Sequence, residues 1–69
     1  MKYAVVIERG PTSYGATVPD LPGCVAVAET RVDVERLIEE AIARHLSVLR
    51  ERGHPIPEPH TEVTTVDVR

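Results

Sequence analysis

Two proline-containing stretches constrain this chain of 69 residues more than any other feature, because they divide it into segments of defined length. Prolines 55, 57 and 59 alternate with other residues; each lacks an N–H donor and restricts the preceding residue to extended conformations. The stretch Pro19-Asp20-Leu21-Pro22-Gly23 interrupts any β-ladder for the same reason. Regular structure is therefore expected before residue 19, between residues 24 and 53, and after residue 61.

The middle segment has the pattern of one amphipathic helix. Thr30 and Asp33 have the spacing of a capping box, which predicts the helix start, and Gly53 predicts its end. Glu40 and Arg44 stand four residues apart in the order that favours an ion pair. The apolar residues that fall on one arc of this helix are Val34, Leu37, Ile38, Ala41, Ile42, Leu46, Val48 and Leu49.

Four other segments have the composition of β-strands. Residues 2–8 are nearly all apolar and rich in β-branched side chains, and residues 14–18 alternate after a cluster of turn formers. Residues 24–28 and residues 62–68 are the third and fourth predicted strands. The predicted order is βββαβ, in a single α+β domain that spans residues 1–69.

The strand order follows from connection geometry. Three strands in a meander make strand 3 parallel to strand 1, and a right-handed crossover through the helix delivers strand 4 beside strand 1. The predicted sheet order is 3-2-1-4, with the helix on one face only. A core this small favours self-association, and we expect Tyr3, Val5 and Ile7 of strand 1, with His45 of the helix, at a homodimer or larger interface.

Composition argues against several functional classes. The net charge is −3 with both signs interspersed, and the chain has two tyrosines and no other aromatic residue, which argues against direct nucleic-acid binding. No apolar run is long enough to span a membrane, and the N-terminus has no signal-peptide pattern. The lone Cys24 excludes an internal disulfide, and we expect a cytoplasmic protein.

The residues with reactive or metal-binding side chains are scattered. Cys24 has no base beside it in sequence and is expected to pack as a small apolar residue rather than to react. His54 and His60 flank the prolines without further ligands, so we expect no metal site and no cofactor. His45 falls within the apolar arc of the helix, either at a half-solvated rim or at a subunit interface.

Several stretches together resemble one family, the HicB-like antitoxins. The matching residues are Met1-Lys2-Tyr3, Pro19-Asp20-Leu21-Pro22-Gly23-Cys24, the helical Glu39-Glu40-Ala41-Ile42 and Gly53-His54-Pro55-Ile56-Pro57-Glu58-Pro59. The resemblance implies a partial RNase H-like fold, dimeric or higher assembly, and a binding module that neutralises a HicA-type mRNA interferase toxin by masking its active site. Many members add a C-terminal module that binds their operator DNA. The elements predicted in residues 1–69 include no such module, so we expect no operator binding by these residues. Val32 and Val34 also differ from the residues common in the family.

The stretch Asp20, Leu21, Pro22, Gly23 and Cys24 is the candidate partner-binding loop. A rigid, proline-containing loop loses little entropy on binding, which suits a recognition surface. The alternative is that these residues form only a tight bend. The exposed edge of strand 3 is a second candidate docking place.

Two other functions stay open. One is an oligomeric structural or regulatory domain that has no toxin partner. The other is a metal-dependent nuclease, since enzymes with the RNase H fold use converging carboxylates, and Glu8, Asp20 and Asp67 are the candidates. The strand pattern places no further acidic residue with them, so we expect no enzymatic activity.

Overall fold

The computed structural model describes all 69 residues and contains three strands and one helix. The elements are β1 (Val6–Arg9), β2 (Tyr14–Thr17), β3 (Val25–Ala28) and α1 (Arg31–Glu51). The strands form an antiparallel sheet in the order β1-β2-β3. The predicted α+β class, the meander and the single helix are therefore confirmed. No helix of the structure combines the length and the apolar character needed to cross a membrane.

The start of α1 is defined by its cap. The Thr30 hydroxyl accepts a hydrogen bond of 3.1 Å from the N–H of Asp33. The predicted ion pair between Glu40 and Arg44 does not form, because Glu40 bonds Arg36 at 2.8 Å one turn earlier. Arg44 is consequently left without an acidic partner.

The end of α1 is a Schellman motif. Gly53 adopts a φ of 68°, a left-handed conformation that disfavours any side chain with a Cβ. The N–H of Gly53 donates to the Arg50 carbonyl at 3.1 Å, and the N–H of His54 donates to the Leu49 carbonyl at 2.9 Å. The helix stops there, and the chain continues into residues 54–61, which contact Tyr3 and Asp20.

The core lies between α1 and the strands that it covers, β2 and β3. Leu21 from the loop after β2 and Val34 from the first helical turns are fully buried and pack at its centre. No aromatic side chain is fully buried, so aliphatic residues fill the interior. The buried apolar residues are Ala16, Val18, Leu21, Cys24, Val34 and Ile38.

The two faces of the sheet differ in cover. Val5 and Ile7 lie on the helix side and pack against the core. The opposite face is uncovered and carries Val6, Val25 and Val27, of which the last two are 59% and 67% exposed. The strand-1 residue on the uncovered face is Val6, whereas Val5 and Ile7, which were predicted at an oligomer interface, lie on the covered side.

The predicted fourth strand does not form within the chain. Residues 62–69, here called the tail, pair with no strand and are exposed throughout, so the order 3-2-1-4 is not completed in one copy. The physical reason lies in the preceding residues 54–61, the strap. The Tyr3 hydroxyl donates to the Pro57 carbonyl, and Thr61 is then held by Asp20 beyond β2. The tail therefore leaves the body away from β1.

Candidate partner-binding surface

The loop between β2 and β3 (residues 18–24) is closed by its own hydrogen bonds. The N–H of Val18 donates to the Cys24 carbonyl at 3.2 Å, and the N–H groups of Leu21 and Cys24 donate to the carbonyls of Val18 and Leu21 at 3.0 Å. Gly23 adopts a φ of 84°, which only glycine takes without strain. The backbone conformation of this loop is therefore fixed without a bound partner.

The Asp20 side chain is buried and accepts hydrogen bonds from the strap. Its residue is 5% exposed, and its carboxylate accepts from the N–H of His60 at 2.9 Å, the N–H of Thr61 at 3.0 Å and the Thr61 hydroxyl at 2.6 Å. The His60 Nδ1 lies 2.8 Å from the same carboxylate. The Thr61 hydroxyl and the backbone donors favour the charged form and lower the Asp20 pKa.

The exposed part of the predicted loop is correspondingly small. Leu21 and Cys24 are buried in the core, and Pro22 and Gly23 face solvent. Of the five loop residues predicted to bind a partner, two present an accessible surface. The other three shape and hold the loop.

A groove next to this loop brings two sequence-predicted regions together. It has a volume of about 450 Å³ and runs between the C-terminal half of α1 and the start of β3. We call it the basic groove. Its lining residues are Gly23, Cys24, Val25, Ala41, Arg44, His45, Val48, Leu49 and Arg52. The loop residues and His45, 21 positions apart at their closest along the chain, thus share one concave surface.

The basic groove is named for its uncompensated positive charge. Arg44 and Arg52 make no ion pair, and no carboxylate is among the lining residues. Val48 and Leu49 supply an apolar floor between them. An apolar cleft with a few oriented charged groups is the usual form of a recognition site. Its chemistry suits a partner segment that presents carboxylates or backbone carbonyls.

The residues predicted at the oligomer interface divide between two places. Tyr3, Val5 and Ile7 are half-buried on the helix side of the sheet, where Tyr3 also holds the strap. His45 is half-buried on α1 and lines the basic groove. The structure does not bring His45 together with the other three.

The remaining candidate groups do not converge on a reactive centre. Burial raises the pKa of the Cys24 thiol, which keeps it in the protonated, unreactive form. No three side chains of the metal-binding types lie close enough to hold an ion. Glu8 lies on β1 while Asp67 lies on the exposed tail, and Asp20 is occupied by the strap.

Sequence reasoning missed two parts of this surface. The contact of Asp20 with Thr61 spans 41 positions, and the only signal for it was the preference of a carboxylate for nearby N–H donors. Arg44 was assigned to an ion pair, and Arg52 was not singled out. Their position in the basic groove depends on how α1 rotates against β3, which the helical pattern alone does not specify.

Comparisons with known proteins agree with this architecture. The family model described as the HicB-like antitoxin of bacterial toxin–antitoxin systems matches residues 3–67. The UPF0150 protein Ta0767 of Thermoplasma acidophilum is 34% identical over 67 residues, which cover 96% of this chain and 97% of that protein. An uncharacterised 14.9 kDa protein of Haemophilus phage HP1 is 31% identical over 84% of this chain and 44% of its own length.

The fold is also similar to that of a solved complex. A chain of the HicA3 and HicB3 toxin–antitoxin complex superposes with a TM-score of 0.73 and 30% identity, over 87% of this chain and 70% of that one. The family match covers both the loop and the strap that are joined through Asp20. The chain therefore belongs to the HicB-like antitoxins of bacterial toxin–antitoxin systems.

Proposed function

We propose that this chain neutralises a HicA-type toxin by docking onto it as a non-enzymatic binding module. The observation that carries the proposal is the structural likeness to a chain of the HicA3 and HicB3 complex over 87% of the residues, in a member of the antitoxin family. Masking another protein requires a complementary surface and no reacting group. The scattered positions of Glu8, Asp20 and Asp67 support a binding role over a nuclease.

The basic groove and the neighbouring Pro22 and Gly23 form the proposed docking surface. The loop is held by three internal hydrogen bonds and through Asp20 by the strap, so little conformational entropy is lost when a partner binds. A surface that is ordered in advance converts more of its contact energy into affinity. This supports the loop as part of a recognition surface over a bend without further function.

The positive charges of the basic groove favour a docked segment with negatively charged or hydrogen-bond-accepting groups. Arg44 and Arg52 are free to form hydrogen bonds with partner carboxylates or carbonyls, and Val48 offers apolar contact beside them. Charge complementarity of this kind gives specificity and speeds association. We infer that the toxin segment seated here carries at least one carboxylate.

Self-association is part of the proposal. The core consists of six buried apolar residues, and a core of that size in 69 residues is usually reinforced by oligomerisation. Both β1 and β3 have a free edge in the single copy, and Val25 and Val27 leave an apolar patch on the uncovered face. A homodimer or larger assembly would cover part of this surface.

The test is co-expression with a HicA-type toxin, followed by co-purification and a growth assay. Arg44→Glu and Arg52→Glu together should abolish the complex and restore toxicity, while Arg50→Glu is the matched control because it is exposed on the same helix and lines no groove. Failure of the unaltered chain to bind the toxin overturns the function. Binding that survives the double substitution overturns the proposed surface alone.

A further inference from the structure

We propose that the tail of one copy pairs with the free edge of β1 in a second copy, so that two chains exchange their fourth strands. The proposal does not rest on the toxin or on the basic groove. It rests on three features of the single copy. They are an exposed tail that pairs with no strand, an unfilled groove beside β1, and a strap whose anchor at Asp20 starts the tail away from the β1 edge.

The tail has the composition of a buried strand and none of its contacts. Val63, Val66 and Val68 are 75%, 77% and 89% exposed, in a stretch that also contains two β-branched threonines. Alternate residues of a strand face the same way, so Val66 and Val68 would share one face and Val63 would lie on the other. Three exposed valines within six residues mark a surface that another element covers.

The groove beside β1 has the matching character. It has a volume of about 270 Å³, and apolar side chains from β1, the residue before it and α1 line most of it. These are Val5, Ile7, Ile38 and Ile42, with Glu35 and Glu39 at the rim. α1 covers β2 and β3 and leaves this side of β1 open. A fourth strand at the β1 edge would fill this groove with every second side chain.

The backbone of β1 is also ready to pair. Gly10 donates to the Ser13 carbonyl at 2.7 Å across the hairpin, and hydrogen-bonded pairs alternate along an antiparallel ladder. Ile7 and Arg9 therefore direct their N–H and C=O groups away from β2, toward the free edge. An unpaired row of this kind is a template for strand addition.

The strap makes a second copy the better donor of that strand. The strap contacts Tyr3 at Pro57 and is then anchored by Asp20, so Thr61 lies at the loop between β2 and β3 and not at the β1 edge. Returning would mean crossing about two and a half strand spacings, roughly 12 Å. That distance takes about four extended residues before any pairing could begin. The β1 edge of a neighbouring copy can receive the tail from its first residues onward.

Sedimentation analysis of the full chain over a range of concentrations tests the exchange. Val66→Asp with Val68→Asp should raise the dimer dissociation constant by more than about a hundredfold, because buried valines become charged. Val63→Asp with Thr65→Asp adds the same charge on the opposite face and should change the dissociation constant by less than about tenfold. All four residues are exposed in the single copy, so circular dichroism should show the same helix content in each variant.

A mixed sample of labelled and unlabelled chains distinguishes exchange from a tail that folds onto its own sheet. Isotope-filtered NMR should show contacts between the Val68 methyls of one chain and the Ile7 or Ile42 methyls of another. Three results would each overturn the proposal. They are an unaltered chain that stays monomeric, contacts confined to one chain, or a dimer disrupted by Val25→Asp with Val27→Asp but not by the tail substitutions.

Discussion

The Thr61 hydroxyl donates a hydrogen bond of 2.6 Å to the Asp20 carboxylate, and this contact joins the loop after β2 to the strap that follows α1. Two backbone N–H groups, from His60 and Thr61, complete the set of donors around the same side chain. One carboxylate thus holds the candidate binding loop and determines where the tail leaves the body.

Replacing Asp20 should release the strap while leaving the helix in place. Asp20→Ala removes every acceptor for the His60 and Thr61 N–H groups, so their amide hydrogen exchange should accelerate by about tenfold or more. Exchange mass spectrometry or NMR measures this directly. Asp67→Ala is the control, because that carboxylate is exposed on the tail. Unchanged exchange at His60 and Thr61 would show that the strap is held by other contacts.

The strap should detach in acid. The hydrogen bonds from Thr61 and His60 lower the Asp20 pKa below its ordinary value of 3.8 in the folded chain. A lowered folded-state pKa contributes stability that is present above the unfolded pKa and is lost as the pH falls through the folded pKa. The contact should therefore persist at neutral pH and fail below 3.8, as followed by the Thr61 amide shift. In Asp20→Asn that shift should lose its acid transition.

The left-handed end of α1 should require glycine. Gly53→Ala places a Cβ on a residue with a φ of 68° and should lower the free energy of unfolding by about 1 kcal/mol. Gly15→Ala is the matched control, because its φ is not positive and nothing lies within 4 Å of the added Cβ. Chemical denaturation compares the two variants. Equal losses at both positions would contradict the conformational argument.

The core should be sensitive at the residues that α1 and the loop bury. Leu21→Ala and Ile38→Ala each remove a buried side chain and should cost about 2–5 kcal/mol. Val25→Ala, on the uncovered face, should change the stability of the single copy by less than about 0.5 kcal/mol. Urea titration at a concentration where the chain is monomeric measures all three. A large loss at Val25 there would place it in the core.

Cys24 should react slowly in the folded chain. Burial raises its pKa, so the thiolate is scarce at neutral pH, and the side chain is shielded by the groove wall. Iodoacetamide should modify it much more slowly than it modifies Val25→Cys in a Cys24→Ser background, since residue 25 is exposed. Mass spectrometry follows both reactions, and denaturant should equalise them. Fast modification of Cys24 in the folded chain would show that the start of β3 unfolds locally.

Local signals in the sequence predicted the elements well because their causes are local. Thr30 and Gly53 mark the ends of α1 through hydrogen bonds within one turn, and the turn formers after Arg9 close the first hairpin. Val5 and Ile7 were predicted at an oligomer interface, and the structure places them on the side of the sheet that the helix covers. Alternation separates two faces of a strand without saying which face meets the helix.

The relationships that the sequence did not predict are all long-range. The alternation in residues 62–68 predicts a segment suited to a sheet. It does not indicate whether that sheet belongs to the same chain or to another copy. The tie between Asp20 and Thr61, which redirects the tail, depends on where the strap crosses. Arg44 illustrates the same limit at short range, because Glu40 had two arginines within reach and bonded Arg36.

The anchored strap also bears on how many chains an assembly contains. The tail follows directly on the anchor at Thr61, so its first residues can reach only a neighbour that lies directly against the body. When two copies exchange tails reciprocally, each β1 edge is occupied and neither tail remains for a third chain. Such an arrangement is closed by twofold symmetry, in contrast to head-to-tail donation, which continues into a filament. The hydrogen bonds at Asp20 would then help to limit the assembly to two chains.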